Sequence, residues 1–245
     1  MKLQIINTGS AGNCYILSNC TTTLMLECGV HMKEIKQALD FDLSKVSGCL
    51  VTHEHKDHCK SLQEVTMAGI EVYASAGTIA ACGIKSHRLN PVEAGTKYQI
   101  GEFTIMPFDV QHDCAQPFGY LIHHADCGNV LFLTDSFYCK HTFKGLNNIL
   151  VEANYSREVL ARKFLANEIH GALKDRVIKS HMSLETCKEL LSANDLSKVN
   201  NIVLIHLSDS NSDAREFKKQ VSELTGKTVT VAEKNMTLNF SKTPF

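Results

Sequence analysis

The run Thr52-His53-Glu54-His55-Lys56-Asp57-His58 packs three imidazoles and the Asp57 carboxylate into six residues, directly after the apolar segment Gly48-Cys49-Leu50-Val51. Imidazole nitrogen and carboxylate oxygen together suit a divalent transition-metal ion. Chance does not account for the run. With 12 histidines and 11 aspartates in 245 residues, a match to H-x-H-x-D-H is expected about once in a thousand such chains. In an extended loop, residues two apart point the same way, so His53 and His55 can reach one ion. Asp57 and His58 stand at the mouth of a helix expected over Lys60–Ala68 and can turn toward a second. Two ions need further ligands, and in mixed sheets these collect in loops after strand ends. His112, Asp135 and His206 follow the strand-like segments Thr104–Val110, Asn129–Thr134 and Asn201–Ile205. The resulting five imidazoles and two carboxylates, with no thiolate, favour Zn²⁺ and leave Mn²⁺ or Fe²⁺ open.

The elements that must position these residues read as α/β. Strands are expected at Lys2–Asn7, Cys14–Ser18 and Thr22–Glu27, a helix at His31–Leu39, and a buried strand at Gly48–Thr52. After the Lys60 helix come a strand at Glu71–Ala74 and a short helix at Thr78–Cys82. Antiparallel-type strands follow at Lys97–Ile100, Phe103–Phe108, Gly119–His124 and Asn129–Thr134. The last third returns to alternation, with strands at Asn148–Val151, Asn201–His206, Thr228–Val231 and Met236–Phe240, and helices at Glu158–Asn167, Leu184–Ala193 and Asp213–Leu224. No repeat or Pro/Gly/Ser linker interrupts this order, so one domain over 1–245 is expected, with sheets inside and helices outside.

Composition narrows the function classes. Lys+Arg 25 against Asp+Glu 26 gives net −1, so bulk charge does not draw the chain to nucleic acid or anionic membrane. Bound divalent ions would make a cleft locally positive and meet a phosphate there. The ten cysteines contain no C-x-x-C pair, which argues against a zinc ribbon or a disulfide framework. A strand-like start without a long apolar h-region makes a cytoplasmic location the expectation, and no run approaches a membrane span.

In this order the motifs resemble those of the metallo-β-lactamase superfamily, over nearly the whole chain. The resemblance implies a four-layer αββα sandwich of two mixed sheets with outer helices, and two divalent metal ions in a cleft at the sheet edge. It assigns His53, His55 and His112 to the first ion, Asp57, His58 and His206 to the second, and Asp135 to the bridge. Glu27 stands where the family usually has Asp, beside the site. Val151-Glu152-Ala153-Asn154 and Ser180-His181-Met182-Ser183 resemble the paired signatures of tRNA 3′-processing endonucleases (tRNase Z). The small, exonuclease-like YycJ branch resembles the chain most, through Gly9-Ser10-Ala11-Gly12-Asn13-Cys14, Glu152-Ala153-Asn154-Tyr155, Leu173-Lys174-Asp175-Arg176-Val177 and His206-Leu207-Ser208.

What this implies is phosphodiester hydrolysis of DNA or RNA by a hydroxide bridging two metals. Asp57 or Asp135 would orient the hydroxide, and His181, polarised by Glu152, would protonate the leaving oxygen. Two rivals stand beside it: a thioesterase or small-ester hydrolase of the glyoxalase II type, and a catalytically silent, metal-bearing nucleotide-binding module. Simpler readings attach to single residues. His181 can serve as a cap of the Leu184 helix, Lys174, Arg176 and Lys179 as a solvated face, and Cys59 and Cys114 as bystanders.

Overall fold

The computed structural model describes residues 1–243; residues 244 and 245, included in the expected domain span, lie outside the described residues. The first half runs β1 (Lys2–Asn7), β2 (Cys14–Ser18), β3 (Thr23–Leu26), α1 (Met32–Ala38), β4 (Val46–Leu50), α2 (Lys56–Cys59), α3 (Leu62–Met67), β5 (Val72–Ser75), α4 (Ala76–Cys82) and β6 (Leu89–Val92). The middle supplies β7 (Tyr98–Ile100), β8 (Phe103–Asp109), β9 (Phe118–His124), β10 (Gly128–Leu133) and β11 (Leu146–Glu152). The last third adds α5 (Arg157–Leu165), α6 (Gly171–Ser180), α7 (Leu184–Ser192), β12 (Asn201–Ile205), α8 (Ala214–Thr225), β13 (Thr228–Val231) and β14 (Met236–Asn239).

Two seven-stranded sheets result, ordered β14-β1-β2-β3-β4-β5-β6 and β13-β12-β11-β10-β9-β8-β7. Both are mixed: β3-β4-β5-β6 and β10-β11-β12-β13 run parallel, whereas β14-β1-β2-β3 and β10-β9-β8-β7 run antiparallel. Alternation explains how one face of each sheet is chosen: in β8, Phe103 and Ile105 are buried while Thr104 and Met106 are only partly so. The inward residues of both sheets, among them Leu3, Ile5, Tyr15, Phe103, Tyr120 and Phe132, form one core between the sheets. A second core packs the outer face of one sheet beneath α7 and α8 through Cys187, Leu191, Phe217 and Val221. A third packs the other sheet beneath α1 and α3 through Ile35, Leu62 and Val65. The layers are helix, sheet, sheet, helix, as expected.

Three local differences from the sequence reading have physical causes. Strand β6, for which the sequence predicts no element, contains Pro91 and lies at a sheet edge, where a missing N–H is tolerated. Helix α6 carries no apolar stripe, and Leu173 and Ile178 are exposed. The expected Lys60 helix starts earlier and is broken into α2 and α3, because the Ser61 N–H donates to the Cys28 carbonyl at 2.9 Å instead of continuing the helical ladder. Asp57 and His58 therefore lie within a helical turn rather than ahead of one.

The sheets place their functional loops along one edge. Strands β8, β10, β11 and β12 all run the same way: β8 and β10 are each antiparallel to β9, and β10, β11 and β12 are parallel. Their C-terminal ends precede His112, Asp135 and His206 and include Glu152. The loop after β4 is tied across to the second sheet, where the Phe118 N–H donates to the Thr52 carbonyl at 3.0 Å and the Tyr120 hydroxyl to the Val51 carbonyl at 2.8 Å.

Candidate metal centre

His53, His55 and His112 converge. His53 Nε2 and His112 Nε2 each lie 3.1 Å from His55 Nδ1. His112 Nδ1 donates to the Ser180 carbonyl at 2.7 Å, so its Nε2 carries the lone pair when the ring is neutral. Burial pushes both His53 and His112 toward that neutral form. A single N–H on His55 would have to serve two facing acceptors, whereas a cation satisfies all three nitrogens at once.

The second group is Asp57, His58, Asp135 and His206. Asp135 stands between the two groups: its Oδ2 lies 3.1 Å from His58 Nε2, 3.6 Å from His53 Nε2 and 3.8 Å from His112 Nε2, and its Oδ1 lies 3.2 Å from His206 Nδ1. Asp57 Oδ2 lies 3.3 Å from His58 Nε2 and 3.5 Å from His206 Nε2. His206 Nε2 is buried and has no hydrogen-bond partner. Against burial, which raises it, the facing imidazoles of His206 and His58 hold Asp57 far below the carboxylate range. Burial likewise opposes ionisation of Asp135, but His206 and His58 hold it well below that range. Desolvation lowers His58 and His206, yet the facing carboxylates win and raise both, His206 to about 10. Among the described residues no Lys or Arg pairs with Glu27, Asp57, Asp135 or Glu152. A buried set of carboxylates compensated only by imidazoles, with an orphaned ring nitrogen aimed among them, fits a divalent metal.

Backbone placement of the cluster is unusual. Glu27, Asp135 and His206 all hold positive φ, at 66°, 44° and 55°. Such conformations are unfavourable for residues other than glycine and persist where surrounding contacts enforce them. For His206 the enforcing contacts include its own N–H, which donates to the Thr8 hydroxyl at 3.0 Å, and its carbonyl, which accepts from Asn154 Nδ2 at 2.8 Å. Gly29 must be glycine because a Cβ there would stand 1.7 Å from the Asp57 carbonyl oxygen.

Glu152 and His181 lie beside the cluster. Glu152 Oε1 accepts from His181 Nδ1 at 2.8 Å and lies 3.1 Å from His206 Nδ1, while Oε2 accepts the Ser136 and Met182 N–H groups at 3.1 and 2.9 Å. Both carboxylate oxygens are thus committed. His181 stacks on His206 with ring centroids 5.3 Å apart. Burial lowers its proton affinity, but the Glu152 carboxylate more than offsets this and raises it. Ser183, not His181, caps α7, since its side chain accepts the Thr186 N–H. Asp135, Glu152, His181 and His206 also form a geometrically compact group of their own.

Every expected ligand therefore lies in one place, and Cys59 and Cys114 are not among the groups able to hold an ion. All ten cysteines are free. Lys174 sits 4.4 Å over the Phe164 ring, and Arg176 and Lys179 are exposed. Residues not singled out as parts of the site complete it. Asn13 Nδ2 lies 3.2 Å from His58 Nε2, and the Asn13 N–H donates to the Asp57 carbonyl at 2.7 Å. The Thr134 hydroxyl donates to Asp135 Oδ1 at 2.9 Å. Only the Gly-rich turn at Gly9–Gly12 signals that the chain must approach closely there.

Glu27 is buried; its oxygens accept the Thr52 N–H at 3.3 Å, and Oε1 meets His58 Nδ1 at 3.4 Å. It orients the ring on the side away from Asp135. Glu27→Gln should leave the fold intact and weaken metal retention about 10–100-fold, read as a shift in a competitive chelator titration. Unchanged affinity would remove Glu27 from the support of His58.

The model of the beta-lactamase superfamily domain matches residues 15–207. The chain therefore belongs to the beta-lactamase superfamily, as a hydrolase of the metallo-β-lactamase fold. It is 26% identical to exodeoxyribonuclease YycJ of Bacillus anthracis, over 91% of this chain and 89% of that protein. It is 28% identical to exodeoxyribonuclease WalJ of Streptococcus pneumoniae, over 86% of this chain and 82% of that one. The metallo-β-lactamase fold protein YhfI from Bacillus subtilis superposes with a TM-score of 0.71, at 14% identity, covering 97% of this chain and 99% of the other. No helix among the described residues is long and apolar enough to cross a membrane.

Proposed function

We propose that this chain hydrolyses phosphodiesters in nucleic acid, DNA above all, with two divalent cations in the cluster. The observation that carries the reading is the Glu152–His181 pair, held at 2.8 Å against seven converging ligand side chains. His53, His55 and His112 would hold one ion, Asp57, His58 and His206 the other, and Asp135 would serve both. Charge supports two ions: Glu27, Asp57, Asp135 and Glu152 bring four negative charges, which two divalent cations offset. Such ions supply Lewis acidity that acidifies water and neutralises phosphoryl oxygens.

The remaining steps fall to the chain itself. Asp57, whose side chain is 25% exposed while Asp135 is buried, is placed to orient the attacking water. His181 donates Nδ1–H to Glu152, which leaves Nε2 to protonate the departing oxygen. Glu152 stabilises the charged ring and cannot rotate away, because two backbone N–H groups hold its other oxygen. The names of the two curated relatives favour DNA over RNA.

The metal-replete protein, given end-labelled single- and double-stranded DNA and RNA, bis-p-nitrophenyl phosphate and a thioester, should shorten DNA and cleave the small phosphodiester. Cleavage of the thioester alone would replace the reading with a glyoxalase II type of activity, and turnover of none would favour a silent module.

A further inference from the structure

The Gly-rich turn between β1 and β2 holds a chain of hydrogen bonds with a definite direction. Gly9 gives an N–H that can only donate, to Asn13 Oδ1 at 2.9 Å, and a carbonyl that can only accept, from Asn13 Nδ2 at 3.2 Å. The orientation of the Asn13 amide is thereby fixed. Tyr15, buried in the core between the sheets, places its hydroxyl 3.1 Å from the same Oδ1, and an amide oxygen only accepts, so the phenol donates there. Its one proton is then committed. The Thr8 hydroxyl, 2.8 Å from the phenol oxygen, must donate to it, which leaves the Thr8 lone pairs for the His206 N–H at 3.0 Å. Burial pushes the Tyr15 phenol well above its ordinary value, so it stays a donor.

Both ends of this chain reach the same group of ligands. At one end Asn13 Nδ2 donates to the Asp57 carbonyl at 3.3 Å and lies 3.2 Å from His58 Nε2, while the Asn13 N–H donates to that carbonyl at 2.7 Å. The turn can seat so closely because Gly12, at φ 140°, stands where a Cβ would meet the Gly29 carbonyl oxygen at 2.5 Å. At the other end Thr8 holds the backbone of His206, whose φ of 55° persists only where contacts enforce it. Asp57, His58 and His206 are the residues proposed above to hold the second ion. The first group leans on other partners: His53 Nδ1 lies 2.9 Å from the Thr52 hydroxyl, and His112 Nδ1 donates to the Ser180 carbonyl. The Tyr15 hydroxyl is the link that joins the support of Asp57 and His58 to that of His206.

We propose that Thr8, Tyr15 and Asn13 are positioning residues for the second ion, and that the buried Tyr15 hydroxyl sets the affinity of that ion independently of the first. This rests on the two-ion reading above and not on its substrate. The physical reason is preorganisation. Thr8 and His206 are 198 residues apart, and a hydrogen-bond chain that fixes ligands from distant segments before the ion arrives lowers the cost of ordering them on binding.

The test titrates metal-free wild type, Tyr15→Phe, Thr8→Val and Thr8→Ser with Zn²⁺ alone against a competing chelator. Tyr15→Phe keeps the ring that packs edge-on against Phe132, with centroids 5.7 Å apart, so its metal-free melting temperature should stay close to wild type. In Tyr15→Phe and in Thr8→Val one of two equivalents should bind about 10–100-fold more weakly while the other keeps its wild-type affinity, and Thr8→Ser should bind both as wild type does. Combining Tyr15→Phe with Thr8→Val should weaken binding no further than Thr8→Val does, because the same chain is broken once. Anomalous scattering from crystals soaked at limiting Zn²⁺ should find the depleted ion among Asp57, His58 and His206. Equal weakening of both equivalents, depletion among His53, His55 and His112, or a loss in Thr8→Ser as large as in Thr8→Val would overturn the network. Wild type binding a single equivalent would overturn the two-ion reading and the assignment to a second ion with it. Wild type binding two equivalents that Tyr15→Phe and Thr8→Val hold equally well would leave that reading standing and overturn the network alone.

Discussion

Asp135→Ala should lower kcat for phosphodiester hydrolysis by about 10³-fold or more, and the protein should no longer retain its full complement of metal. Among the described residues Asp135 is the one carboxylate whose two oxygens face both ligand groups, Oδ2 toward His58, His53 and His112 and Oδ1 toward His206. Removing it leaves two groups of imidazoles with nothing to neutralise the cations between them, and leaves His58 and His206 without the carboxylate that most raises their proton affinity. Since Asp135 holds positive φ, at 44°, the backbone must be checked as well. Asp135→Asn keeps the shape and removes the charge, so it should show the same loss with a melting temperature close to wild type. Elemental analysis and steady-state kinetics on both variants decide the matter. Full activity in either would remove Asp135 from the centre.

His181→Ala is expected to separate chemistry from metal binding. His181 lies outside the seven-residue set and is held by Glu152, so the variant should keep its metal while losing about 10²–10⁴ in turnover on nucleic acid. On bis-p-nitrophenyl phosphate the loss should be far smaller, because p-nitrophenolate departs without a proton. Glu152→Gln should follow the same pattern more weakly, since the ring loses its charged partner. The rival is concrete, because His181, Glu152, Asp135 and His206 lie close enough together to hold an ion themselves. If His181→Ala sheds metal, or loses equally on both substrates, His181 is a ligand and not the acid.

The parts of this site that are legible in the sequence are those whose signal is local. His53, His55, Asp57 and His58 form one short run, and Asp135 and His206 each follow an apolar strand, so residue type and position suffice to find them. Their supports are not local. The Ser180 carbonyl that fixes the His112 tautomer lies 68 residues away, and the Thr8 hydroxyl that holds the His206 backbone lies 198 residues away. Nothing in a window around either residue encodes such a contact. The fold divides in the same way. Periodic or apolar segments such as β8 and β11 are readable, whereas α6, with exposed Leu173 and Ile178, and edge strand β6, with its internal Pro91, have no pattern to read. Glu27 is intermediate. Its identity is plain in the sequence, but its positive φ and its place behind His58 emerge only when β3 is set beside β4.

We propose that one centre of two ions performs phosphodiester hydrolysis. It is tested most directly by titrating metal-free protein with Zn²⁺ or Mn²⁺ while following cleavage of bis-p-nitrophenyl phosphate. Activity should be absent without metal and rise to a break at two equivalents per chain. A break at one equivalent, or activity indifferent to added metal and to chelator, would contradict it.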